Sequence, residues 1–420
     1  MFKKIQFRNG LRVILIPQKD SESLTVLVLV GTGSKYEKRE EQGISHFLEH
    51  MYFKGTKKRP TPREVAEVLD RVGGIYNAFT SQEYTGYFAK VSAEKLNLAL
   101  DWVSDILLNS IFPQEEIEKE KGVIEEEINM INDNPMSLVS NLWLKTLYGD
   151  QPAGWPIAGE KETIRKITRE KLLNYMKTQY VAGNIVLAIA GNFKMKEAFL
   201  KIKKYFKKVS IGKWRERAKL VENQKRPNLI LKKKKTDQAH LILGVKGVNL
   251  FDKRRYVQDV LATILGGMMS SRLFQKIREK MGIAYYIKTE SYSDLDSGYL
   301  ATSAGLRIES TEKGILEILK EYKKISQNLS LSELRKAKDN LKGKMSLLLE
   351  SSDARAIFFA SQELLENRIL SPEEIFKKIE RISLSQIKDF AKQIFKSKKL
   401  NLALVGPFER KEKFEKILKI

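Results

Sequence analysis

Residues 167–199 read ITREKLLNYMKTQYVAGNIVLAIAGNFKMKEAF, and residues 382–414 read ISLSQIKDFAKQIFKSKKLNLALVGPFERKEKF. The two segments align without a gap at an offset of 215 residues, so that Ile167 meets Ile382, Tyr180 meets Phe395, Gly191 meets Gly406 and Phe199 meets Phe414. Each copy reads as an amphipathic helix, an unbroken apolar strand, a turn and a second helix. Upstream, LTVLVLVGTG (24–33) and AHLILGVKG (239–247) are strands, and each leads into a helix. The pattern is that of a duplicated α/β domain, about 200 residues per copy. The polar, basic stretch GKWRERAKLVENQKRP, closed by Pro227, serves as a linker over 212–227 between domains at 1–211 and 228–420.

Composition narrows the function. With 42% hydrophobic and 30% charged residues, the 420-residue chain has a globular balance. It contains no cysteine, which excludes a disulfide framework and thiolate metal sites, so any metal must be held by His, Asp and Glu. The N-terminus lacks a signal-peptide pattern, and no apolar run approaches a membrane span, so the expected location is cytoplasmic. The net charge is +24, but the lysines are spread along the chain and mixed with glutamate. The one dense run, Lys232–Lys235, is not interleaved with aromatics, so nucleic acid is not the expected partner.

Only three histidines exist, and two of them, His46 and His50, fall in GISHFLEHMYFKGT (43–56) with Glu49 between them. On a helix, residues three and four apart share a face. Two imidazoles at i and i+4 can grip one metal ion, while Glu49 reaches a water on it as a general base. H-x-x-E-H is the inverted zincin signature. The duplication supplies a control: the offset of 215 carries His46, Glu49 and His50 onto Leu261, Ile264 and Leu265. The fold therefore does not require the polar trio.

Tetrahedral zinc needs a third protein ligand. His240 is one candidate, but it opens the second half's first strand and reads as a structural or surface histidine. Carboxylates are better placed in FPQEEIEKEKGVIEEEINMINDNP (112–135), a helix opened by Pro113 and closed by Pro135. Ile117, Val123, Ile124, Ile128 and Ile131 define its apolar face, and Glu120 and Glu127 fall on the arc between Ile131 and Val123. A carboxylate among isoleucines is costly unless paired with a cation or metal. One of the two acids is expected to be the third ligand and the other its supporting partner. Helical projection leaves open which is which.

H-x-x-E-H followed 77 residues after His50 by a Glu in VIEEEI (123–128) resembles the pitrilysin family of zinc peptidases, which includes insulysin and the mitochondrial processing peptidase. FRNGLRVILIP (7–17), GGIYNAFTSQEYTGYF (73–88) and ILGGMMSSRLFQKIREKMGIAYY (264–286) extend the resemblance over nearly the whole chain. It implies an α+β fold, each domain a mostly antiparallel sheet packed with helices, as in the family's short two-domain members. It implies one Zn2+ per chain on His46, His50 and Glu127, with Glu120 in support. The hairpin at 76–88 would offer its strand through Asn77, Ala78, Phe79 and Thr80 as an edge that pairs with substrate backbone, which asks little of substrate sequence.

By the same resemblance, Arg278 and Tyr285 hold substrate and stabilise the tetrahedral intermediate. On their own, Arg278 reads as a surface residue and Tyr285 as core. The family brings this pair to the zinc from the opposite lobe of a clam shell, so a homodimer is the expected assembly, with a heterodimer as the alternative. The function implied is a zinc endopeptidase acting on peptides or unfolded polypeptides. Rival classes are a non-catalytic scaffold subunit and an iron oxygenase. The latter would place its two His and one carboxylate on strands rather than on one helix.

Overall fold

The computed structural model describes residues 2–420, which form two compact units, each built on one sheet. In the first unit the strands are β1 (Lys3–Gln6), β2 (Arg12–Pro17), β3 (Ser23–Val30), β4 (Ile75–Thr80), β5 (Thr85–Ser92) and β6 (Ile185–Gly191), in the order β1-β2-β6-β3-β5-β4. In the second unit they are β7 (Asn228–Lys233), β8 (Gln238–Lys246), β9 (Ala284–Ser293), β10 (Gly298–Arg307) and β11 (Leu400–Gly406), in the order β7-β11-β8-β10-β9. Each sheet is antiparallel except for one parallel pair, β2 with β6 and β7 with β11.

The repeat is reproduced to the residue. Helix Arg169–Gln179 precedes β6 as helix Leu384–Ile394 precedes β11, and both bounds differ by the same 215 positions as the sequence alignment. Both helices start at a hydroxyl cap, Thr168 or Ser383, whose side chain accepts from the N–H three residues on. The strands they lead to, IVLAIAG and LNLALVG, are buried throughout, which explains why their sequences run apolar rather than alternating.

The contiguous split at 212–227 does not describe the packing of two helices. The first unit comprises 1–129, 156–218 and 347–369, and the second comprises 130–155, 219–346 and 370–420. Helix Ser352–Glu366, late in the chain, lays Ala356, Phe359 and Ala360 on Ile14, Leu27, Leu29 and Val186 of the first sheet. Conversely, helix Pro135–Tyr148 sets Leu138, Val139 and Trp143 on Ile242, Ala301 and Val405 of the second. An apolar helix face must be covered, at about 1.5–3 kcal/mol per large side chain, but its pattern does not say by which sheet. The helix opened by Pro113 ends at Asp133, just before Pro135 as expected, but Pro135 also begins a helix of its own. It stands behind Asn134, whose side chain accepts from Met136 and Ser137 N–H.

The run Lys232–Lys235 also finds its place: its first two residues end β7. That strand precedes β8, so His240 sits on the second strand of its half, not the first. No helix among the described residues is long and apolar enough to cross a membrane.

Candidate metal centre

The histidines lie on helix Ile44–Met51, whose N-terminus is heavily fixed. Gly43 takes φ +87°, and a Cβ there would lie 2.7 Å from Ala158 O, so glycine is needed both for conformation and for room. Buried Glu37 accepts from Gly43 N–H at 2.8 Å and from Ser45 N–H at 2.9 Å, placing a carboxyl on the helix's free donors. Burial nevertheless pushes Glu37 up to about 7, against the lowering effect of those two bonds. Ser45 Oγ and Thr32 Oγ1 both lie 2.8 Å from the buried Tyr175 hydroxyl, tying the first turn to the following helix layer.

From this base the side chains converge. His46 Nε2 lies 3.5 Å from Glu127 Oε2, and His50 Nε2 lies 3.6 Å from the same oxygen. One ligand atom from each of the three residues falls within 4.8 Å of the others, the one such His/Asp/Glu group among the described residues. Atoms held about 2.0–2.1 Å from a tetrahedral ion sit roughly 3.3–3.4 Å apart, and the two separations from Glu127 are close to that. Burial, with a smaller contribution from His50, holds His46 down to about 3, so its imidazole is neutral and has a lone pair to give. His46 Nδ1 is buried with no hydrogen-bond partner.

The two acids separate clearly. Glu120 is buried, and its Oε2 lies 2.9 Å from His50 Nδ1 while Oε1 takes Lys54 Nζ at 2.5 Å. Burial would raise its pKa, but the bonds from His50 and Lys54 outweigh that and hold it low. An ionised Glu120 accepts from Nδ1–H and so leaves the His50 Nε2 lone pair facing Glu127. Glu127 is not buried among isoleucines: its side chain is 38% exposed, consistent with an acid at the open side of a metal site. Val123 is also 49% exposed, because the buried stripe runs Ile117, Glu120, Ile124, Ile128 and position 123 lies off it.

Glu49 projects from the same helix and accepts from Thr80 Oγ1 at 2.6 Å. Its pKa is raised, chiefly by burial and further by Glu127, while Thr80 and His50 oppose the rise. Thr80 ends β4, which pairs only with β5 and is an edge of its sheet, so Asn77, Ala78, Phe79 and Thr80 lie on an edge strand beside the histidine helix. In the second copy Leu261, Ile264 and Leu265 are buried on helix Arg255–Gly266.

Arg278 and Tyr285 belong to the second unit. Arg278 is half-buried in a π-helical turn, Phe274–Lys280, its guanidinium 4.7 Å from the Phe274 ring. Tyr285 is the second residue of β9, the edge corresponding to β4, and at 74% exposure it is not a core residue. His240 is half-buried, with Nδ1 3.1 Å from Tyr286 OH, and is not one of the grouped ligands. Lys54, Glu37 and Tyr175 were not apparent as site residues. Lys54 follows His50 by four positions in the sequence but lies beyond the helix, which ends at Met51, so helical spacing does not place it.

Residues 12–161 match the profile of insulinase (peptidase family M16), and residues 166–341 match the M16 inactive domain. An uncharacterized zinc protease of Bacillus subtilis, YmxG, is 37% identical over 414 residues, covering 97% of this chain and 98% of its own. A counterpart from Rickettsia felis is 35% identical over 97% and 98% of the two chains. In fold, a protease from Helicobacter pylori superposes with a TM-score of 0.90 at 23% identity, over 97% of this chain and 99% of that one. A chain of Complex III from Candida albicans superposes at 0.84 and 19% identity, over the full length of both. The chain belongs to the insulinase family of peptidases, M16, in its two-domain form, and its relatives carry the name zinc protease.

Proposed function

We propose that this protein is a zinc endopeptidase hydrolysing peptides or unfolded polypeptides. The observation that carries the reading is the convergence of His46, His50 and Glu127 beside a carboxylate, Glu49, that is not one of the three. In this reading His46, His50 and Glu127 hold one Zn2+ per chain. Bound zinc would supply Lewis acidity, making water nucleophilic at neutral pH and polarising a carbonyl. Glu49, steadied by Thr80, takes the proton of the attacking water and returns one to the leaving amine. Glu120 orients His50. The β4 edge receives the substrate as an added strand, which suits extended rather than folded chains. Arg278 and Tyr285 hold substrate and stabilise the oxyanion, serving a site completed by a second copy in a homodimer.

The test is cleavage of an unfolded polypeptide by zinc-loaded protein beside Glu49→Gln. The variant should bind zinc normally and lose about a hundred- to ten-thousandfold in kcat, the scale expected when a general base is lost. Equal cleavage by both would remove Glu49 from the mechanism. Zinc binding without cleavage by either would favour a heteromeric or scaffold role, a second reading prompted by the likeness to a Complex III chain.

A further inference from the structure

The two sheets differ by one strand, and the difference lies at β7. In the first sheet β2 is parallel to β6 on one side, with Arg12 opposite Val186, and antiparallel to β1 on the other. In the second, β7 is parallel to β11, with Asn228 opposite Asn401, and no strand among the described residues pairs with its outer side. Val13, Ile14 and Leu15 of β2 correspond to Leu229, Ile230 and Leu231 of β7. The first three are at most 1% exposed, whereas the second three are all half-exposed. The duplicated fold thus has a place for one more antiparallel strand, filled by residues 3–6 in one unit and open in the other.

The charge beside this open edge is predominantly basic; Glu415, the one carboxylate lining the cavity at its end, is paired with Lys411. Ile16 and Pro17 of β2 correspond to Lys232 and Lys233, both exposed, followed by Lys234 and Lys235. At the other end of β7 a cavity of about 1150 Å³ is bounded by Asn228, Leu229 and Ile230 and by Lys145, Lys225, Arg226 and Lys246. Some of this charge is answered: Lys233 pairs with Glu409, Lys234 with Asp133 and Lys246 with Glu222. Lys145, Lys225, Arg226, Lys232 and Lys235 have no carboxylate within ion-pair distance among the described residues. Lysines on an edge strand repel an identical edge, which argues against a second copy of this chain in the place.

We propose that the outer edge of β7 is a docking site for an extended, acidic segment of a partner polypeptide, which adds to the second sheet as an antiparallel strand where β1 sits on the first. Main-chain bonds to β7 supply the pairing, the half-exposed Leu229, Ile230 and Leu231 supply apolar cover, and the lysines select the charge.

The test uses the full chain and three fluorescein-labelled ten-residue peptides: alternating Glu and Val, alternating Lys and Val, and the Glu–Val peptide N-methylated at every second residue. By anisotropy the Glu–Val peptide should bind, and the Lys–Val peptide should not. N-methylation, which keeps the charge and blocks strand pairing, should weaken binding at least tenfold. The exposed double variant Lys232→Glu, Lys235→Glu should weaken it by a similar factor while leaving the circular dichroism unchanged. Equal binding of the N-methylated peptide, or its displacement by inorganic polyphosphate with no effect of methylation, would reduce the edge to a simple polyanion patch and overturn the proposal. So would failure of the Glu–Val peptide to bind, or a change of oligomeric state in the double variant.

Discussion

Thr80 donates to Glu49 at 2.6 Å, and this one bond couples the edge strand to the proposed base. A hydrogen bond to a charged group contributes about 1.5–3 kcal/mol. Thr80→Val should therefore lower kcat by about ten- to a hundredfold with zinc affinity unchanged, and Thr80→Ser should restore most of it. A fall in zinc content instead would mean that Thr80 acts through the fold. Glu120 acts on the metal by way of His50 Nδ1, and partners of this kind typically contribute ten- to a hundredfold in metal affinity. Glu120→Gln keeps an acceptor but loses the charge, so competition with a chromophoric chelator should show zinc affinity reduced by about tenfold. An unchanged affinity would assign Glu120 only to its contact with Lys54.

Among the elements, the histidine helix depends most on groups outside itself. It spans only Ile44–Met51, too short to hold its shape alone, and Glu37 anchors its first turn. Glu37 is raised by burial from its ordinary value of 4.5 to about 7. In that window the folded chain keeps a proton that the unfolded chain releases. Its contribution to stability is therefore full below pH 4.5, falls as pH rises to 7, and is constant above. The loss is on the order of 3 kcal/mol, from about 1.4 kcal/mol per pKa unit. Urea titrations of Glu37→Gln should show a flatter dependence on pH across this window than wild type. A parallel dependence would show that Glu37 does not titrate there.

For the whole molecule, metal and fold should be linked. The ligands come from two helices, Ile44–Met51 and Gln114–Asp133, and all three residues lie in the first unit. Zinc that binds the folded site and not the unfolded chain stabilises by about 4 kcal/mol when free metal is a thousandfold above Kd. Chelation should lower the melting transition of wild type, and restoring zinc should recover it. His46→Ala should melt at the chelated temperature with or without zinc. A wild-type transition indifferent to zinc would mean that the trio is not a metal site.

Local pattern already holds a good deal of this protein. The paired segments at 167–199 and 382–414 reveal a helix and a following strand in each copy, which keep the same offset in the structure, because buried strands and capped helices leave periodic, unbroken signatures. The i, i+4 histidines are equally local, since helix geometry alone puts them on one face. The pairing of Glu120 with Lys54 and His50, the exposure of Glu127 and the hold of Thr80 on Glu49 could not be read that way. Each is a contact across many residues, and a helical projection gives a direction but not the neighbour waiting there. The same holds for the two exchanged helices. Ser352–Glu366 and Pro135–Tyr148 each display an apolar face that either sheet could cover, and only long-range packing chose between them. Edge positions followed suit: β4, β7 and β9 became edges through the strand order, which sequence periodicity does not encode.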